Sequence, residues 1–328
     1  MHVDRGDGAA TRASVSASTA DVRETAWMHR DHGGAVCVMT TTRPGIVLNA
    51  EDRAKGRTEL MCAAAGGHTS VISAILNHEP GVDLEAKDNE QESTAVLYAA
   101  LHGQVSAMQM LVEYGADVNA KNDDGQGVLF VAAFDGHVGI IEPAIAAGVN
   151  VQTKSNEGGT ALHCAAACGH VSFTKALLAA GADACAMDDV KVTPLMTASR
   201  GGFLEVVGAL LESCGAQCHS CVNAKDKDGQ TAMNYAMMYN QDNVAVPILR
   251  ALIAAGADVN STMDQGRGAS WSQGICLHSM ARIKGHRACA NLLLSAGAEP
   301  DPQLDDARAA RMSMITINPG EGADCTIQ

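Results

Sequence analysis

Residues 160–183 read Thr160-Ala161-Leu162-His163-Cys164-Ala165-Ala166-Ala167-Cys168-Gly169-His170-Val171-Ser172-Phe173-Thr174-Lys175-Ala176-Leu177-Leu178-Ala179-Ala180-Gly181-Ala182-Asp183. Thr160 is suited to cap a helix, because its hydroxyl accepts a bond from an amide that the first turn leaves unpaired. The alanine run after it lets a second helix approach closely. Gly169-His170 permits a tight turn, and the apolar residues from Val171 to Leu178 follow a helical spacing. Gly181 then stands where a helix ends in a left-handed residue. The stretch spells helix, turn, helix and loop.

Outward from it, the same signals return at a fixed interval. The Gly181-Ala182-Asp183 step is preceded by Gly115-Ala116-Asp117-Val118-Asn119-Ala120 and Gly148-Val149-Asn150-Val151, each 33 residues apart, and followed by Gly215-Ala216 and Gly256-Ala257-Asp258-Val259-Asn260. Thr94, Gly127, Thr160 and Thr193 open successive units, again 33 apart, and Pro194 fits the first helical position, where a missing N–H costs nothing. Gly67-His68, Gly136-His137, Gly169-His170 and Gly285-His286 mark the inner turns. The Asp-x-x-Gly segments between units are β-turn chemistry. Aromatic residues make up only 3% of the chain, which calls for a core of small aliphatic side chains and closely stacked helices.

These offsets, with Thr160-Ala161-Leu162-His163 and Thr193-Pro194-Leu195 as the nearest matches to a Thr-Pro-Leu-His signature, resemble an ankyrin-repeat protein. The resemblance implies an all-α fold, an ankyrin-repeat α-solenoid whose helix pairs are joined by β-turn or hairpin-like loops. It covers residues 52–299 as about seven units, beginning near Asp52, Asp88, Asn122, Ser155, Asp188, Asp226 and Asp264. Residues 1–25, rich in Ala, Ser and Thr, are expected to be disordered. Residues 26–51 are expected to be a degenerate capping segment, and 300–328 a C-terminal cap and tail. Pro143 should kink or shorten the second helix of the third unit. A loop insertion is expected at Gln217–Cys221, a lengthened turn at Asn240–Asn243, and a long loop at Gly266–Gly274.

Several function classes drop out. The chain has no phosphate loop, no His-Glu-x-x-His and no Gly-x-Ser-x-Gly elbow, so no catalytic residues and no cofactor are assigned and a non-enzymatic role is expected. With 37 acidic against 23 basic residues the net charge is -14, which repels nucleic acid and points to a basic protein partner. No apolar run reaches the length of a membrane span. The eleven cysteines are scattered and no secretion signal opens the chain, which suggests a cytoplasmic protein, with the nucleus also open to it.

In proteins that the chain resembles, residues beside the loop turn and just before Gly-His line the concave face. Here these are Glu90, Glu92, His102, Asp123, Asp124, Phe134, Asp135, Glu157, Asp189, Arg200, Asp228 and Tyr239. They suit a basic or amphipathic segment: carboxylates steer and set register, and Phe134 and Tyr239 supply apolar contact. The expected function is a protein-binding scaffold or adaptor. A rival reading is a thiol or zinc sensor, because Cys214, Cys218 and Cys221 include a Cys-x-x-Cys spacing, although no second such pair exists and no metal is assigned. Asn119 and Asn260 fit the pattern of asparaginyl β-hydroxylation that the resemblance implies. Cys325 begins a terminal Cys-a-a-X box ending in Gln, a signal for prenylation that would make the chain a membrane-tethered substrate-recognition adaptor. A single lipid would hold it only weakly.

Overall fold

The computed structural model describes residues 27–30, 36–39, 44–47, 50–78, 81–215, 218–262 and 276–299. The chain divides into two compact units, residues 1–189 and 190–328. In the first, three strands, β1 (Trp27–Arg30), β2 (Val36–Met39) and β3 (Pro44–Val47), pair antiparallel in that order ahead of helix α1 (Ala50–Ala54). Four helix pairs follow: α2 (Glu59–Ala65) with α3 (Thr69–His78), α4 (Ala95–Leu101) with α5 (Val105–Glu113), α6 (Val128–Asp135) with α7 (Ile141–Ala146), and α8 (Ala161–Cys168) with α9 (Val171–Ala179). The second unit holds α10 (Pro194–Gly201) with α11 (Leu204–Cys214), a short α12 (Cys218–Val222), α13 (Ala232–Tyr239) with α14 (Asp242–Ala254), and α15 (Leu277–Lys284) with α16 (Arg287–Ser295).

The repeated residues explain this construction. Thr58 and Thr193 accept bonds from the amides of Met61 and Met196 at 3.2 and 3.3 Å, closing the first turns of α2 and α10. At Thr160 the third helical residue answers instead: His163 Nδ1 accepts the Thr160 amide at 3.1 Å. The alanine pairs Ala63-Ala64, Ala99-Ala100, Ala132-Ala133 and Ala165-Ala166 are fully buried, and there α2 packs on α4, α4 on α6 and α6 on α8. Larger side chains, Ile72, Leu111, Phe173 and Leu177, fill the space between first and second helices. Gly136 has φ +72°, and a Cβ there would fall 2.7 Å from the His170 ring of the next unit. The His170 Nε2 in turn bonds the Phe134 carbonyl at 2.7 Å. A glycine for the turn and a histidine to seal it are thus one device, repeated.

The loops join the stack through main-chain bonds between neighbouring turns. The amides of Asn89, Asp123, Asn156 and Asp189 donate to the carbonyls of Lys55, Gln91, Asp124 and Glu157 at 2.8–3.0 Å, all within the first unit. Side-chain amides add clamps across successive loops. Gln152 donates to Gly181 O and accepts from Asp183 N, Asn223 does the same with Gly256 and Asp258, and Asn260 with Gly297 and Glu299.

Three features depart from the sequence expectation. The segment 26–51 holds strands, with β3 lying against α2 and α3. The Gln217–Cys221 insertion, expected as loop, includes helix α12. Half of the residues expected to lengthen the turn at Asn240–Asn243 begin a helix instead: only Asn240 and Gln241 separate α13 from α14, which runs 13 residues. Asn240 Nδ2 donates to the Ser199 and Ala236 carbonyls at 2.8 and 3.0 Å, so that its side chain does the sealing that Gly-His does elsewhere. Pro143 has the expected effect, as α7 is only six residues long and is entered through a 3-10 turn at Val138–Ile140. Residues 1–25, the long loop at Gly266–Gly274 and the cap and tail at 300–328 lie outside the described residues.

Candidate partner-binding groove

The groove is built from the turns that precede α4 and α6. Asp88, only 4% exposed, accepts from the amides of Glu90 and Gln91 through Oδ1 at 2.9 and 2.8 Å, and from the Tyr98 hydroxyl through Oδ2 at 2.6 Å. One carboxylate therefore closes the turn and ties it to the helix. Arg57 reaches in from the preceding loop, with Nε donating to the Tyr98 hydroxyl at 2.9 Å and the guanidinium 5.2 Å from the centre of that ring. Its terminal nitrogens stand 3.4 Å from Asp52 and Glu90.

The electrostatics follow from this arrangement. Burial pushes the Asp88 pKa up, but the Tyr98 hydroxyl and the turn amides outweigh it and hold the carboxyl below its usual range. Burial and the Asp88 bond raise Tyr98, against the opposing pull of Arg57, so its hydroxyl stays protonated and donating. Burial works against the charge on Arg57, while Tyr98, Asp52 and Glu90 favour it and leave the guanidinium raised.

Together these residues wall a groove of about 610 Å³ in the first unit. Four residues singled out by sequence, Glu90, His102, Asp124 and Phe134, line it beside Arg57 and Tyr98, over an apolar floor of Leu97, Leu101 and Val131. Phe134 is 42% exposed and packs edge-on against Phe130, with ring centres 5.7 Å apart. His102 stacks on Tyr98 at 6.5 Å. The site thus presents carboxylates, an exposed aromatic ring and aliphatic surface in one depression.

The other sequence-predicted residues are exposed but do not line it. Glu92 pairs with Lys87 at 2.8 Å and Asp135 stands 3.9 Å from His137. Asp123, Glu157 and Asp189 use their main chains in the bonds between turns and leave their side chains in solvent. Arg200, Asp228 and Tyr239 belong to the second unit. There the Arg200 guanidinium covers the Tyr239 ring at 4.9 Å, and Tyr239, 53% exposed, also stacks on Tyr235 at 5.9 Å. Asp228 is exposed. The Tyr235 hydroxyl donates to Asp226 at 2.8 Å, repeating the Asp88–Tyr98 arrangement. Arg57, Tyr98 and Tyr235 were missed by sequence. An Asp at the turn with a Tyr nine or ten residues on was the signal.

The candidate modification and metal residues fall as follows. The Cys214 and Cys221 sulfurs lie within 4.8 Å of each other, and the Cys218 side chain is outside the described residues. Both ends of the Asn260 carboxamide are engaged with the next loop, whereas the exposed Asn119 makes its bond to Asp117 through its main-chain amide. Cys325 lies outside the described residues. Among the described residues no helix is long and apolar enough to cross a membrane.

A family model described as ankyrin repeats (3 copies) matches the chain over residues 33–122, 120–188 and 175–263. A search of curated proteins returned no match.

Proposed function

Since the chain belongs to the ankyrin-repeat family, whose repeats mediate protein–protein interaction, we propose that it is a non-enzymatic scaffold or adaptor whose first unit binds a basic or amphipathic protein segment in the groove between Glu90 and Phe134. The observation that carries this reading is the juxtaposition of Glu90 and Asp124 with an exposed Phe134 ring over an apolar floor. Desolvated aromatic surface supplies affinity, and carboxylates around it raise the encounter rate of a cationic segment and fix its register. Asp123 and Glu157, exposed on the same series of turns, extend the negative field beyond the groove.

The test is capture of a basic, leucine-bearing peptide by the full chain at rising ionic strength, beside a variant carrying Asp123→Lys, Asp124→Lys and Glu157→Lys. Affinity should fall as salt screens the carboxylates and should drop about tenfold or more in the variant at low salt. Capture indifferent to both would reject the electrostatic reading. Asn119, with its carboxamide exposed, is the better hydroxylation candidate of the two asparagines, and intact mass of the Asn119→Ala variant beside the parent would identify it.

A further inference from the structure

Each unit lays one of its own arginines on a tyrosine ring. Arg57 covers Tyr98 at 5.2 Å while pairing with Glu90, and Arg200 covers Tyr239 at 4.9 Å. The lysines of the turns are used differently. Lys121, Lys154 and Lys225 send Nζ to the main-chain carbonyls of Lys154, Met187 and Thr262 at 2.9, 2.7 and 3.3 Å. The division has a physical cause: a guanidinium is flat and weakly hydrated, so it can lie on a ring and still donate from its edge to a carboxylate. An ammonium is compact and strongly hydrated, and gives up more to approach a ring face.

Phe134 shares the groove with the same pair of chemistries but has no such cover among the described residues. Phe134 is 42% exposed, its ring contact is edge-on with Phe130, and Asp124, which lines the same groove, forms no ion pair among the described residues. The charges leave room for one more cation. Of the lining carboxylates, Asp88 is committed to Tyr98 and the turn amides, Glu90 is shared by Lys55 and Arg57 at 3.4 Å each, and Asp124 faces solvent. Resting on the groove reading above, we infer that the partner segment delivers an arginine rather than a lysine, its guanidinium stacked on Phe134 and hydrogen-bonded to Asp124. The groove repeats with a partner's arginine what Arg57 does with Tyr98 and Glu90.

The test is a peptide array synthesised three times, with arginine, lysine or citrulline at the basic positions, and probed with the full-length protein. The best arginine peptides should bind about fivefold more tightly than their lysine counterparts. Phe134→Leu should remove that difference while the lysine peptides keep their affinity, and Asp124→Asn should weaken both sets. Equal binding of arginine and lysine peptides, or a preference that survives Phe134→Leu, overturns the inference and leaves the basic-segment reading standing. Charged peptides that bind no better than citrulline peptides overturn both.

Discussion

Gly127 occupies the N-cap of α6, where α2, α4, α8, α10 and α13 have threonine. Its backbone is already extended, with φ -99° and ψ -176°, and a Cβ there would meet only the Ala120 carbonyl, at 3.8 Å. Gly127→Thr should therefore stabilise the protein by about 0.5–1 kcal/mol, through the regained cap and a less flexible unfolded chain. A urea midpoint that rises with unchanged slope checks it. Asp88 makes a prediction in pH. Its folded pKa is below the unfolded value of about 3.9, so its contribution is fully present above about pH 4 and is lost as pH falls through the folded pKa. Asp88→Asn should lower stability at pH 7 by about 1–3 kcal/mol and flatten the acid limb below pH 4. An acid limb of unchanged steepness would remove Asp88 from the account. Threonine caps and turn glycines were legible in sequence because their chemistry is local. The Arg57–Tyr98 bond was not, since its partners are 41 residues apart and only the folded stack brings them together.

Helix pairs were legible for a different reason: an interval of 33 residues fixes both members of a pair at once, and the buried alanines specify which helices touch. What the repeat does not carry had to come from the structure. Cys218–Val222 forms α12, and Asp242 starts a helix instead of widening a turn. In that place Asp242 acquires a role that no repeat register predicts. Its Oδ2 accepts the Ala288 amide at 2.9 Å and its Oδ1 stands 3.1 Å from His286 Nδ1, so one carboxylate of α14 caps the start of α16. Burial opposes its charge, but the bonds from Ala288, Cys289 and His286 hold its pKa below the usual range. Burial and the bond to Asp242 push the Cys289 thiol up to about 12. Asp242→Ala should weaken this junction by about 1 kcal/mol and speed amide exchange across residues 277–299, with little change in the first unit. Uniform acceleration through both units would show that the cap is not local.

At the scale of the whole molecule, stability is approximately a sum of repeat and nearest-neighbour terms, which lets repeats keep their stacking residues and vary the rest. That separation is why positions not needed for stacking could be singled out from sequence, and why their grouping could not. Of twelve named positions, four share one groove, several serve mainly as turns, and Tyr239 is already covered by Arg200. The net charge of -14 pointed to a cationic partner as an expectation and said nothing of where it would bind. The most direct test of the groove is hydrogen exchange of the full chain, with and without a saturating basic, leucine-bearing peptide. Binding in the groove should slow exchange at residues 88–102 and 122–135. Protection confined to the second helices α5, α7 and α9, with those two segments unchanged, would contradict it.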